Sequence, residues 1–343
     1  MKNKILTITA MVLMVVMLIC NIGMFLTVIK IAGRNAEAKP AATYEEVTDD
    51  VAEETTEVET EKVTVKDGDN TTISKEELLT YFEKDGEGTI GLLRDSFPEY
   101  IVYKENNGYE FARVNDSLAK NDWDLVNLKK DKNGEITYKK NGKVVSHKGI
   151  DVSKYQGDID WDKVKADGVE FAMIRIAYRG YGTGEIVTDE QAITNIKNAT
   201  KAGVKVGVYF FSQAINEKEA REEAEYVVDI IKDYKIEYPI VFDMEEISGD
   251  TARIDKLTKE EKTDIAIAFC EKVKEKDYTP MIYANIKWFA GYYEMDRIES
   301  YDKWFAYYDD TLYFPYKIKM WQYTDSGKVD GIAGNVDLNI YVE

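Results

Sequence analysis

Histidine is almost absent: the chain of 343 residues carries one, His147. A Ser-His-Asp triad needs an imidazole base, and His-based metal centres need several, so neither chemistry is expected. His147 reads as a surface residue just ahead of the main domain. Cysteine is nearly as scarce, with Cys20 in an apolar run and Cys270 in a segment patterned as an amphipathic helix. The two are not expected to meet, so no disulfide framework is read. What remains for a cation is carboxylate, and no metal or other cofactor is expected. Positive charge is short as well: 45 basic against 64 acidic residues give a net charge of −19. Nucleic acid calls for a basic surface and is excluded as a partner.

The acidity is uneven. Between Tyr44 and Glu61 there are nine acidic residues and no basic one. Such a stretch repels itself and cannot bury a core, so residues 31–72 read as an acidic, disordered linker. Ahead of it, residues 5–29 form 25 consecutive uncharged positions rich in Ile, Leu, Val and Met. That length spans a bilayer and exceeds the core of a signal peptide. Residues 1–30 are therefore expected to be a cytoplasmic tip and a transmembrane helix acting as signal anchor. Cleavage near Ala36-Glu37-Ala38 is the alternative. The flanking charges, Lys2 and Lys4 before and Lys30, Arg34 and Lys39 after, do not orient the span. A single-pass protein of the cell membrane is the expected localisation, its bulk placed outside by the activity that residues 149–343 imply and not by these charges, or a secreted protein after cleavage.

Folding signals resume near residue 72. Ser74-Lys75-Glu76-Glu77 has the form of a capping box opening a helix with Leu78, Leu79 and Phe82 on one side. Strands are expected at Tyr100–Tyr103 and Tyr109–Val114, and a hairpin at Ile136–Tyr138 and Val144–Ser146 around Asn141-Gly142. Residues 73–148 thus read as a small α+β accessory module, a spacer or wall-contacting unit without chemistry of its own.

From Gly149 strand and helix signals alternate. Strands are expected at Gly149–Val152, Phe171–Tyr178, Val204–Ser212, Pro239–Glu245, Pro280–Ala284, Trp304–Tyr307, Lys319–Tyr323 and Val336–Tyr341. Helices fall at Trp161–Ala166, from Thr188 (with Gln191 as its box partner) to Gly203, from Asn216, and from Thr258 (boxed with Glu261) to Lys276. The fold class is α/β: a mainly parallel β/α barrel, helix-poor on its closing side.

One strand carries the chemistry. Pro239-Ile-Val-Phe-Asp-Met-Glu245 ends in carboxylates spaced i, i+2, which a strand turns to one face. Acidic residues are normally kept out of apolar strands. Two at a strand's C-terminal end suit a barrel enzyme, and a carboxylate pair is what glycoside hydrolysis uses. The plainer reading is a strand running into an acidic loop, since Glu246 follows.

Residues 149–343 resemble the family 25 glycoside hydrolases, the muramidase-type lysozymes. Carrying the resemblance are Gly149-Ile-Asp-Val-Ser-Lys-Tyr-Gln-Gly157, Ile159-Asp-Trp161, Gly203-Val-Lys-Val-Gly-Val-Tyr-Phe-Phe-Ser212, Phe242-Asp-Met-Glu245, Met281-Ile-Tyr-Ala-Asn285, Trp321-Gln-Tyr-Thr324 and Val336-Asp-Leu-Asn339. The resemblance implies an irregular, flattened, TIM-like β/α barrel whose strand ends carry four catalytic carboxylates, Asp151, Asp243, Glu245 and Asp337, with Glu245 as general acid and Asp243 as its anionic partner. For the outer two, local roles stay open: Asp151 capping the turn at Ser153, and Asp337 binding backbone in the Gly331–Asn335 turn. Tyr209, Phe211, Tyr283, Trp304, Trp321 and Tyr323 are the substrate-binding candidates, since sugar faces stack on aromatic rings. Tyr209, Tyr283 and Trp321 are expected in the groove and about half of the set in the core. Arg175 is read as an ion-pair partner or a substrate contact. The implied activity is cleavage of peptidoglycan glycan strands between N-acetylmuramic acid and N-acetylglucosamine by a monomer. The alternatives are a catalytically silent wall-binding or scaffold protein and a chitinase-like N-acetylglucosaminidase.

Overall fold

A computed structural model describes residues 62–64, 72–74, 88–105 and 108–342. The apolar run at 5–29, its cleavage alternative and the helix expected after Ser74 lie outside the described residues. Among those described, no helix is long and apolar enough to cross a membrane. Strands β1 (Lys62–Thr64) and β2 (Thr72–Ser74) pair antiparallel inside the end of the stretch expected to be linker. Ser74 is the last residue of β2.

The accessory module contains a helix that the sequence reading missed, α1 (Gly88–Ser96), with two glycines in its first four residues. It then forms the hairpin β3 (Tyr100–Glu105) and β4 (Gly108–Arg113), and a small sheet of β5 (Leu128–Lys130), β6 (Ile136–Lys140) and β7 (Lys143–Val144). Val145 breaks the ladder, and Ser146 already opens the first barrel strand. The module is not a separate body. All described residues fall in one compact unit, Thr60–Glu343. Ile101, Tyr103, Leu118, Trp123, Ile136 and Tyr138 are buried in the same core as the barrel's outer layer.

The barrel strands are β8 (Ser146–Val152), β9 (Phe171–Arg179), β11 (Lys205–Ser212), β12 (Ile240–Met244), β13 (Pro280–Asn285), β14 (Asp302–Ala306), β15 (Met320–Gly327) and β16 (Val336–Val342). They pair in that order, and β16 returns to β8 while β8 pairs with β9, so eight strands close on themselves. Neighbours are parallel except β16, which runs antiparallel to both β15 and β8. Strand β10 (Ile186–Thr188) is an antiparallel flap on the last residues of β9.

Four helices follow the early strands: α2 (Trp161–Ala166), α3 (Ala192–Ala202), α4 (Glu217–Ile231) and α5 (Lys259–Lys274). A single π-turn, Trp288–Tyr292, follows β13, and among the described residues no α-helix follows α5. The caps explain where the helices begin. Asn216 accepts from the Glu219 amide, Thr258 and Glu261 form the reciprocal box, and Gly203 ends α3 at φ +78°. Thr188 does not cap α3. It ends β10, and its neighbour Asp189 takes the Gln191 amide at 3.0 Å. Ladder pairing with β9 wins over the cap.

Side chains alternate between two layers along each strand. Phe171, Met173, Val241, Met281, Tyr283, Trp304, Ala306 and Met320 form the barrel interior. Ile174, Phe210, Phe242, Ile282, Phe305 and Trp321 face outward against helices and module. At the closed end Gly149 sits opposite Phe171, and a Cβ there would fall 2.1–2.4 Å from three atoms of that ring. Phe171 is fully buried and stacked on Tyr238 at 4.4 Å, so it has nowhere to go. Gly149→Ala should cost about 1–3 kcal/mol by overpacking. The check is a lower urea midpoint at unchanged m.

Candidate active site

All four sequence-derived carboxylates gather at one end of the barrel. Asp151 lies next to the last residue of β8, Asp243 next to the last of β12, and Glu245 one residue past it. Asp337 is at the start of β16, and because that strand is reversed its start lies at the same end. It pairs directly with Asp151 in the ladder.

Asp151 is 7% exposed, and its Oδ2 accepts from Gln322 Nε2 and Asn339 Nδ2, each at 2.8 Å. Both amides are themselves held. Trp304 Nε1 donates to Asn339 Oδ1 at 2.8 Å, and an indole N–H can only donate, so the amide nitrogen must face Asp151. The hydroxyls of Tyr283 and Tyr308 donate to Gln322 Oε1 at 2.9 and 2.8 Å and fix it the same way.

Burial and mutual repulsion raise every member of the cluster. Burial pushes the Asp151 carboxyl up to about 6, against the pull of its two amide bonds and with the charge of Glu245 adding. Glu245 rises to about 7 through burial and the charge of Asp337. Asp337 rises to about 8 through burial, Asp151 and Asp325. Asp243 is held well up by burial, then by Glu245 and Asp151, with Arg175 pulling the other way. Its Oδ1 is buried without a hydrogen-bond partner among the described residues. Four like charges in one pocket cannot all ionise near neutrality, so the cluster retains protons. Asp151, the member with two charge-stabilising donors, gives up its proton most readily.

Arg175 is 9% exposed, and its Nε donates to Asp189 Oδ2 at 2.9 Å. It is thus an ion-paired residue of the barrel interior whose charge also reaches Asp243. Its guanidinium lies 5.1 Å from the Tyr155 ring and 5.4 Å from that of Tyr178.

The six aromatic candidates divide. Tyr209, Phe211, Tyr283 and Trp304 stand on the carboxylate side of the sheet. Tyr209 and Phe211 are half-buried, and Phe211 and Tyr283 flank Asp243 in the ladder. Trp304 is 2% exposed beneath them, edge-on to Tyr209 and Tyr283, so it supports the site from below. Trp321 and Tyr323 face the other way. Trp321 is fully buried in the outer layer with its indole N–H on the Tyr307 carbonyl at 2.8 Å. Tyr323 lies toward Ile136 and Glu135 of the module. The groove placement expected for Trp321 is therefore corrected. Sequence reading missed Gln322 and Asn339, and also Tyr155 and Tyr308, which are 77% and 52% exposed on turns after β8 and β14. The usable signal was position, since loops after strand C-termini are where barrel sites lie.

Among the described residues no group of three or more His, Cys, Asp or Glu side chains is arranged to hold a metal ion.

The model of Glycosyl hydrolases family 25 matches residues 150–332. The uncharacterized protein YegX of Escherichia coli is 28% identical over 204 residues, covering 56% of this chain and 68% of its own. The autolytic lysozyme of Clostridium acetobutylicum is 27% identical over 206 residues, 57% of this chain and 56% of that protein. Among solved structures, the modular autolysin LytC of Streptococcus pneumoniae in complex with a synthetic peptidoglycan ligand superposes with a TM-score of 0.51 at 24% identity. That superposition covers 71% of this chain and 56% of LytC, a likeness of fold. The chain belongs to glycosyl hydrolase family 25.

Proposed function

We propose that the barrel hydrolyses peptidoglycan at the β-1,4 bond between N-acetylmuramic acid and N-acetylglucosamine. Glu245 is the general acid and Asp243 and Asp151 are the anions. The observation carrying this reading is the pairing of a largely buried carboxyl raised to about 7 with a second buried carboxylate held by two amide donors. Family membership, the clostridial lysozyme and the peptidoglycan ligand of the pneumococcal autolysin support the substrate class.

Glu245 stands past the strand end, where its carboxyl can meet a glycosidic oxygen and exchange protons with water. Its pKa leaves it partly protonated near neutrality, as a general acid requires. While Glu245 holds the proton, the largest neighbouring charge that raises Asp243 is absent, and Arg175 draws Asp243 toward the anion. Asp243 and Asp151 then face the positive charge that grows on the sugar as the bond breaks. Asp243 either orients an attacking acetamido oxygen or activates water.

The sign of the pH dependence follows. Turnover needs Glu245 protonated and fails as pH rises through about 7; it needs Asp243 and Asp151 ionised and fails as pH falls, at the latest through about 6, where Asp151 takes up its proton. Purified protein on cell walls should therefore release reducing-end N-acetylmuramic acid with a narrow optimum between those values. Release from chitin instead, or from neither polymer, would overturn the reading in favour of an N-acetylglucosaminidase or a silent binder.

A further inference from the structure

A chain of charges joins the accessory module to the mouth of the barrel. Glu105 closes β3 in the module, Glu246 follows Glu245 directly, and Lys287 comes just after β13. Lys287 Nζ donates to Glu246 Oε2 at 2.6 Å and lies 3.0 Å from Glu105 Oε2. The Tyr292 hydroxyl lies 3.1 Å from Glu105 Oε1 and 3.2 Å from Glu246 Oε1, donating to one carboxylate at a time. Glu105 and Lys287 keep only 19% and 20% side-chain exposure, so their attraction is screened less than that of a surface pair. The contact is tight at the backbone too: a Cβ on Gly291 would fall 2.5 Å from the Tyr103 hydroxyl of the module.

Glu245 is tethered from the opposite side by its main chain. Gln213 Nε2 donates to the Glu245 carbonyl at 2.9 Å. The Gln213 carbonyl in turn accepts from Arg253 at 3.2 Å, and Arg253 is clamped on Glu219. One anchor of Glu245 is thus inside the barrel. The other ends in the module.

The module grips a second mouth loop. Arg94 of α1 lies 3.9 Å over the Tyr313 ring and donates to the Tyr307 hydroxyl at 2.6 Å. The next residue, Tyr308, donates to Gln322, which holds Asp151.

We propose that the accessory module completes the active site, with Glu105 as a positioning residue that acts on Glu245 through Lys287 and Glu246. This rests on Glu245 being the proton donor. Without Glu105, Lys287 and Tyr292 still hold Glu246 but lose the module carboxylate that fixes their own place, so the peptide that carries Glu245 is less constrained on that side. Proton delivery depends on placement finer than that freedom allows.

Glu105→Gln keeps the shape and removes the charge. On cell walls its kcat should fall roughly tenfold with KM within about twofold. Combined with Glu246→Gln it should be no slower than Glu246→Gln alone, since the two act through one bridge. Amide hydrogen exchange over residues 245–252 should accelerate in Glu105→Gln, a readout independent of turnover. Lys287→Met breaks the same bridge from the barrel side and serves if Glu105→Gln folds poorly. Wild-type kcat and exchange in these variants, a loss confined to KM, or losses that multiply in the double variant would overturn the proposal. If the unaltered protein releases no reducing ends while exchange still responds, the hydrolase reading falls and the positioning stands.

Discussion

Glu245→Gln should bind glycan as the unaltered protein does and lose about 10³-fold in turnover, the usual worth of a positioned general acid. The substitution keeps volume and hydrogen-bonding reach but has no proton to give. It also relieves repulsion in the cluster, because the charge of Glu245 is one cause of the raised carboxyls of both Asp151 and Asp243. The folded protein should therefore be no less stable, and the residual activity should lose its fall above pH 7. Reducing-end release, glycan pull-down and thermal unfolding on one preparation check all three. Turnover within a few-fold of the unaltered protein would remove Glu245 from the acid role.

Arg179→Met should cost about 3–5 kcal/mol, a large part of the stability of an ordinary domain. Arg179 is 4% exposed at the end of β9, and its Nε donates to Glu223 Oε1 at 2.6 Å. Its other nitrogens reach the Gly184 carbonyl, the Glu219 carbonyl and Glu222. Glu223 is completely buried in α4, with the Ser212 hydroxyl donating to its second oxygen at 2.6 Å. Burial pushes Glu223 up to about 7 even with Arg179 present. Without the guanidinium it rises further and takes up a proton. A carboxyl whose folded pKa is raised binds more protons folded than unfolded, so its contribution to stability falls as pH rises above the unfolded value. The variant should thus lose more at pH 8 than at pH 5, and Arg179→Met with Glu223→Gln should recover part of the loss. Equal losses at both pH values would show that the cost is packing, not charge.

How much of this was readable beforehand depends on which forces were local. Helix starts at Asn216 and Thr258, and the stop at Gly203, follow from side-chain caps within three residues and stood in the sequence plainly. So did the Asp-x-Glu spacing at 243 and 245. Thr188 looked like a cap because the competing ladder with β9 is a tertiary contact. Trp321 was placed on the wrong side for a sharper reason. Period two says that it shares a face with Tyr323 and that Gln322 has the other, but both faces of a barrel strand are buried, so hydrophobicity cannot tell inside from outside. The module was read as a spacer because its contacts with the barrel, from Glu105, Arg94 and Tyr103, join residues 187 or more positions apart in sequence. Nothing in the short-range pattern announces them.

The reversed strand β16 has a consequence in time. The bond from Asn339 to Asp151 spans 188 residues, and the pairing of β16 with β8 is what closes the ring. Contacts of such separation form late and slowly, because a long loop must close before they repay it. Asp151, Asp243 and Glu245 are all synthesised well before Asp337 and Asn339, so a growing chain has these three carboxylates without the finished pocket. The pocket is complete only once the ring closes. Under the proposed function, a chain built in this order has no complete pocket for glycan until its last strand is made.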